Sequence, residues 1–140
     1  MSQAGAIADP AAAGKYTRIL DAALTLFHRY GVRRTSIDDV AQEAGVAKGT
    51  VYLYFDSKET LFFEVAERLF AEVWARMNAA EADKGPFVHR LVLLLDAKIG
   101  HIKRLLLSSP HASELMDETR ATHARPGLEA LDKGFREMLD

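Results

Sequence analysis

A chain of 140 residues with 49% hydrophobic and 27% charged residues has room for one or two small domains and is too apolar to stay disordered. It contains no cysteine, which excludes disulfides and thiol chemistry and suits a reducing cytoplasm. The net charge of −2 conceals an asymmetry: Lys15 to Lys58 holds seven Lys/Arg against five Asp/Glu, while Glu59 to Asp140 holds eleven against fourteen.

Residues 1–14, MSQAGAIADPAAAG, contain no basic residue and no long apolar run, so they read as a flexible arm and not as a secretory signal or a minor-groove arm. The first helix is expected from about Lys15 to Tyr30. Ile19, Leu20, Ala23, Leu24, Leu26 and Phe27 face inward at helical spacing, and Gly31 closes it. Thr17 and Arg18 at its start are within reach of a phosphate or simply solvated. Gly31-Val32-Arg33-Arg34 is a turn, in which Arg34 with Thr35 forms a candidate phosphate clamp.

Thr35 to Phe55, TSIDDVAQEAGVAKGTVYLYF, predicts a short helix, a glycine turn and a second short helix. Ser36 is suited to the N-cap, and Asp39 supplies the carboxylate of a capping box. Ile37, Val40, Ala41 and Ala44 share one face, and Gly45 can take the left-handed conformation that ends the helix. Small Ala41 allows a close crossing, with Val46 and Val51 plugging the angle between the two helices. This is the packing logic of a DNA-binding helix-turn-helix. With Val46 and Val51 inward, Ala47, Lys48, Gly49, Thr50, Tyr52 and Tyr54 remain outside. There they can offer hydroxyls to phosphate oxygens, a ring edge to a thymine methyl and a close backbone approach at Gly49. The local basic excess falls on the same stretch.

Ser57 caps the next helix, and Lys58 sits beside the positive end of its dipole, a position that a nearby phosphate would make favourable. From Leu61 to about Ala82 runs a long apolar helix spanning roughly 35–40 Å, enough to link two domains. On it Phe70, Trp74 and Met77 form a stripe that is either plain core or the wall of an apolar pocket. Gly85-Pro86 breaks the chain, and Phe87 to Ser108 reads as a helix whose LVLLL run, Leu91 to Leu95, predicts burial on more than one side. Asp96, Lys98 and His101 interrupt it too often for a membrane span. Pro110 opens a helix over His111 to Glu118, and Pro126-Gly127 is expected to interrupt the final, amphipathic helix before Leu128, Leu131, Phe135 and Leu139.

The run GVAKGTVYLYFDSKETLF, preceded by an amphipathic helix ending in Tyr30-Gly31, closely resembles the N-terminal DNA-binding domain of TetR-family transcriptional regulators. The resemblance is dense over Tyr16 to Phe63 and general beyond it. It implies an all-α fold: a three-helix helix-turn-helix domain (residues 15–58) joined by a long helix to a helical effector-binding and dimerisation domain (residues 59–140). It implies a homodimer on a palindromic double-stranded operator, repression relieved by a small-molecule effector, and a backbone contact by Lys58. Tyr54 stands where many members carry histidine. Members normally continue with two further helices that form the dimer interface, so residues 59–140 are expected to be a truncated form of that domain. The residues assigned to DNA are Arg34, Thr35, Ser36, Ala47, Lys48, Gly49, Thr50, Tyr52, Tyr54 and Lys58. Those assigned to a pocket for a small apolar or aromatic effector are Phe70, Trp74, Met77, Leu95, Lys98, His101, His111 and Met116.

Other chemistries find little support. His89, His101, His111 and His123 lie ten to twelve residues apart and match no compact zinc pattern. There is no glycine-rich phosphate loop and no Gly-x-Ser-x-Gly, so neither a catalytic residue nor a cofactor or metal is assigned. The reading is therefore a cytoplasmic regulator and not an enzyme. A ligand-independent DNA binder or activator is the alternative, and a small helical metal protein or enzyme is a more distant one.

Overall fold

The computed structural model describes residues 10–121 and 125–140. His123 and the first nine residues of the expected arm lie outside the described residues. The remainder of that arm is helical: α1 runs Pro10–Tyr30, five residues earlier than its expected start. Proline lacks the N–H that a first helical turn leaves unbonded, and Ala11 to Ala13 are the best helix formers, so local propensity extends the helix past Gly14. Gly31 ends it at φ 81°, with its N–H donating to Phe27 O at 2.9 Å.

The next two helices are α2 (Ile37–Ala44) and α3 (Lys48–Tyr54). Both bonds of the capping box form: Asp39 N donates to Ser36 Oγ at 3.1 Å, and Ser36 N donates to Asp39 Oδ2 at 2.9 Å. Gly45 takes the left-handed conformation at φ 70°, and the face Ile37, Val40, Ala41 and Ala44 is buried as the spacing requires. In α3 Val51 is fully buried, Val46 packs half-buried beneath it, and Phe55 pins the chain after the helix. Tyr16 stacks on Phe55 with centroids 5.3 Å apart, and its hydroxyl donates to the buried Glu64 carboxylate at 3.1 Å, tying α1 to the following helix.

That helix, α4 (Lys58–Ala82), is capped by Ser57, whose hydroxyl accepts from Thr60 N. At ~1.5 Å per residue it is about 37 Å long. It serves two cores in succession. Leu61, Phe62 and Val65 join the core of the first three helices, whereas Ala66, Phe70, Val73, Met77 and Ala80 join a second core with Leu94, Ala97 and Leu131. The first core also receives Leu115 from α7, so the two halves meet across more than α4 alone.

The expected helix from Phe87 to Ser108 is present as α5 (Phe87–Leu95), a π-helical turn (Asp96–Gly100) and α6 (His101–Leu107). Its predicted burial on several sides is corrected. Of the LVLLL run only Leu94 is buried, and Val88, Val92, Leu95 and Ile99 are exposed, because α4 covers a single face of this helix. Helices α7 (Ala112–Ala121) and α8 (Arg125–Leu139) complete the described chain. The Pro126-Gly127 pair lies inside the first turn of α8 and does not interrupt it. Helix α8 packs on α4 through two glycines seven residues apart. A Cβ on Gly127 would run into the Phe70 ring, and one on Gly134 would overlap the Trp74 indole.

Among the described residues no helix is long and apolar enough to cross a membrane, and no group of three His, Asp or Glu side chains is placed to hold a metal ion.

Candidate functional site

Helix α3 shows how a short amphipathic segment presents an outer surface. Its one fully buried residue, Val51, anchors it against α2, and Ala47, Lys48, Gly49, Tyr52 and Leu53 point away from the protein. Leu53, 74% exposed, was missed by the sequence reading, which followed hydroxyls and charges. The signal was available in its position beside Tyr52, because an apolar side chain on this face can meet a thymine methyl in a major groove. Gly49 has nothing within 4 Å of the Cβ position, so no internal contact demands glycine there. An external surface approaching the backbone closely would.

The assigned DNA residues divide into three groups. Lys48, Gly49 and Tyr52 with Ala47 are exposed on α3, and Arg34 and Ser36 are exposed at the entry to α2. Thr50, Tyr54 and Lys58 are half-buried; the Tyr54 ring lies edge-on to Tyr16 at 6.1 Å, so its body belongs to the core rather than to a fully projecting contact. Thr35 is the correction. It is 2% exposed and its hydroxyl donates to Gly31 O at 2.8 Å, because the buried Gly31 carbonyl in the turn between α1 and α2 needs an internal donor there. The Thr35 hydroxyl is thus engaged internally and is not presented to solvent beside Arg34. Lys48 Nζ reaches Asp38 Oδ2 at 3.2 Å, an exposed ion pair across the helix-turn-helix that an arriving phosphate would compete with.

The assigned pocket residues do not converge. A cavity of about 260 Å³ lies between α1, α4, α6, α7 and α8, and of the eight assigned residues Phe70 and Met116 line it. Met77 is fully buried in the second core, Trp74 lies 40% exposed over Gly134, and Leu95 faces outward. Lys98 bonds Asp132 at 2.7 Å and sits 4.2 Å from the Phe135 ring centroid. His101 lies 3.5 Å from Glu72, and His111 3.8 Å from Glu114. The sequence reading placed the pocket further up α4 because it gave the lower part of that helix to packing on the first three helices. The lower part of α4, through Phe62, Val65, Ala66 and Leu69, and the last turns of α1 form the wall instead. Their inward spacing was visible in the sequence, but every one of them also fits a filled core.

Comparison with known proteins falls on the same elements. Residues 19–65 match the family model described as bacterial regulatory proteins, tetR family. Over 130 residues the chain is 25% identical to the fatty acid metabolism regulator protein of Bacillus subtilis, covering 90% of this chain and 64% of that protein. It is 44% identical over 52 residues to the HTH-type transcriptional repressor KstR2 of Rhodococcus jostii, covering 37% of this chain and 26% of that one. The crystal structure of the transcriptional regulator FadR from Bacillus subtilis in complex with stearoyl-CoA superposes with a TM-score of 0.63 at 26% identity, covering 89% of this chain and 66% of that one. The chain thus spans less than two thirds of the length of each of these relatives.

Proposed function

We propose that this chain, which belongs to the tetR family of bacterial regulatory proteins, is a cytoplasmic transcription regulator that binds a palindromic DNA operator through α3 and is released from it by a small apolar effector. The observation that carries the reading is α3 itself. One buried valine and a capped partner helix fix a seven-residue helix whose free face offers a lysine, a glycine, a tyrosine and a leucine. Base edges are read by such short, rigidly mounted faces, while Arg34, Ser36 and Lys58 lie at the helix ends where phosphates would fix register.

Two such faces in a homodimer would meet successive major grooves roughly 34 Å apart. The apolar cavity favours a ligand-responsive regulator over a ligand-independent DNA binder. The relative crystallised with stearoyl-CoA supports an effector with a substantial apolar part. Release of DNA then requires that the effector bind one arrangement of the two halves better than the other, and its leverage equals that difference in affinity.

The test is binding of the protein to DNA from upstream of its own gene across a salt series. The expected result is tight binding that weakens steeply with salt, with Tyr52→Ala reducing sequence discrimination and Lys58→Ala lowering affinity for all sequences and flattening the salt dependence. Salt-insensitive binding, or variants indistinguishable from wild type, would refute the assignment of α3 and the α4 start as the DNA surface.

A further inference from the structure

The cavity is bounded on one side by the helix that opens the DNA-binding unit. Leu24, Phe27 and His28 of α1 face Leu105 and Leu106 of α6 across it. Among the described lining residues His28 alone has a polar side chain, and no lysine, arginine, aspartate or glutamate reaches the wall. A charged group placed inside would lose its hydration and find no side chain of opposite formal charge on the wall.

His28 is already engaged. Its Nε2 lies 2.9 Å from Leu105 O and 2.8 Å from Ser108 Oγ. Because the Ser108 hydroxyl itself donates to Leu105 O at 2.9 Å, both partners of the imidazole are acceptors and Nε2 carries the proton. Two further bonds run alongside. Ser109 Oγ donates to His28 O at 2.6 Å, and Arg33 N donates to Glu114 Oε1 at 2.7 Å, which holds the turn between α1 and α2 against α7. The same Glu114 carboxylate lies against Gly31, where a Cβ would collide with it. The end of α1 is therefore fastened to the α6–α7 segment by a seam of hydrogen bonds, and His28 and Leu105 of that seam also line the cavity.

We propose that the cavity binds an uncharged, mainly hydrocarbon molecule carrying one hydrogen-bond acceptor, and that His28 recognises it by exchanging its bond to the Leu105 carbonyl for one to the ligand. The exchange removes one fastening between α1 and α6 and frees the DNA-binding unit to shift relative to the second half. This rests on the reading of the chain as a ligand-responsive regulator and names the chemistry and the coupling group of that site. His28 is a specificity and positioning residue: it distinguishes ligands with an acceptor from those without, and transmits the difference to α1.

Three environment-sensitive naphthalene probes of comparable ring size separate the requirements. Propionyl-dimethylaminonaphthalene is neutral with a carbonyl acceptor, N-phenyl-naphthylamine is neutral without one, and anilinonaphthalene sulfonate is charged. Both neutral probes are expected to bind, and the sulfonate at least ten-fold more weakly. Met116→Trp and Leu128→Trp, at partly exposed positions on the cavity wall, should each abolish binding without disturbing the buried cores. His28→Ala should weaken the carbonyl probe about five-fold, the worth of one hydrogen bond, and leave the phenyl probe unaffected, while His28→Gln, which keeps a donor, restores part of the loss. Equal binding of the sulfonate, persistence of binding in both tryptophan variants, or an identical response of the two neutral probes to His28→Ala would overturn the proposal. In the DNA assay the carbonyl probe should lower affinity in the wild type and not in Leu128→Trp. DNA binding that ignores the bound carbonyl probe overturns the coupling through His28 while the regulator reading stands. Failure of every variant to bind DNA sinks the regulator reading, and the probe series then decides the chemistry of the cavity by itself.

Discussion

From α1 to the start of α4, Ile19, Phe27, Val40, Val51, Phe55 and Leu61 are sealed from solvent, and α2 and α4 begin on side-chain caps. From α5 onward Phe87, Val88, Val92, Ile99 and Leu107 are more than half exposed, a π-helical turn interrupts the helix, and a cavity is left where α6, α7 and α8 meet α1 and α4. The first half specifies a single geometry for α3, as the proposed reading of base edges by this surface requires. The second half holds fewer buried contacts and more alternatives, and segments of that kind open and shift at lower free-energy cost. Rigidity sits where DNA would be read and compliance where a ligand would enter.

The sharpest way to break that contrast is to empty each core. Phe55→Ala, away from the cavity, is expected to cost about 3–5 kcal/mol, since a buried ring is removed from a filled core. Leu94→Ala, in the second core beside exposed neighbours, should fall near the lower end of the roughly 2–5 kcal/mol range for leucine. Urea unfolding followed by circular dichroism measures both. If Leu94→Ala proves as damaging as Phe55→Ala, the second half is no more compliant than the first.

A smaller effect tests what holds the second half to α4. Gly134→Val places methyl groups where the Trp74 indole lies, and such overpacking costs typically about 1–3 kcal/mol. Trp74 is the chain's single tryptophan, so displacement of its ring can be followed directly as a red shift of its emission. DNA affinity should remain near wild type if the contact of α8 with the upper part of α4 acts on the second core alone. A large loss of DNA binding would show that α8 supports α3 through α4.

This contrast also explains what the sequence could reveal. Capping box, glycine stop, small crossing residue and valine plug are local signals with fixed spacings, and Ser36, Asp39, Ala41, Gly45 and Val51 all stand where the spacing placed them. Thr35 escaped because a hydroxyl beside an arginine suits a phosphate and a turn carbonyl equally well, and only the fold chooses between them. In the second half the pattern fixes helices but not partners. The LVLLL run has no face that periodicity can single out, and nothing in Phe70, Trp74 and Met77 distinguishes a cavity wall from a filled core or from an indole resting on Gly134. The seam through His28 joins residues about eighty positions apart, beyond the reach of any spacing rule.

A prediction of about 1 kcal/mol concerns the first half alone. Ser36→Ala removes the hydroxyl that accepts from Asp39 N and should destabilise by roughly that amount. The Asp39 carboxyl is held below its ordinary value first by the Ser36 backbone N–H and then by the Ser36 hydroxyl. A carboxyl depressed in the folded state adds stability above its unfolded value and loses it as the pH falls through the folded value. The contribution of Asp39 should therefore be complete at neutral pH and fade below about pH 3.9, the ordinary aspartate value. Asp39→Asn should flatten this part of the acid limb in urea titrations at several pH values. An unchanged acid limb would mean that the box persists in the unfolded chain or adds nothing to the helix start.

The smallest expected effect lies on the proposed DNA face. Lys48 and Asp38 are both exposed, at 53% and 68% of their side-chain surface, and such pairs contribute about 0–1 kcal/mol. A double-mutant cycle with Lys48→Ala and Asp38→Ala should give a coupling at the low end of that range, falling further in high salt. The two residues should diverge once DNA is present. Lys48→Ala loses a cation that a phosphate can claim, whereas Asp38→Ala removes an anion that competes for that cation and adds to repulsion. Asp38→Ala is therefore expected to raise DNA affinity at low salt, with the gain vanishing as salt screens both terms. If both substitutions weaken binding alike, the bridge is part of the DNA-bound geometry, and the first half is more rigid than its free structure requires.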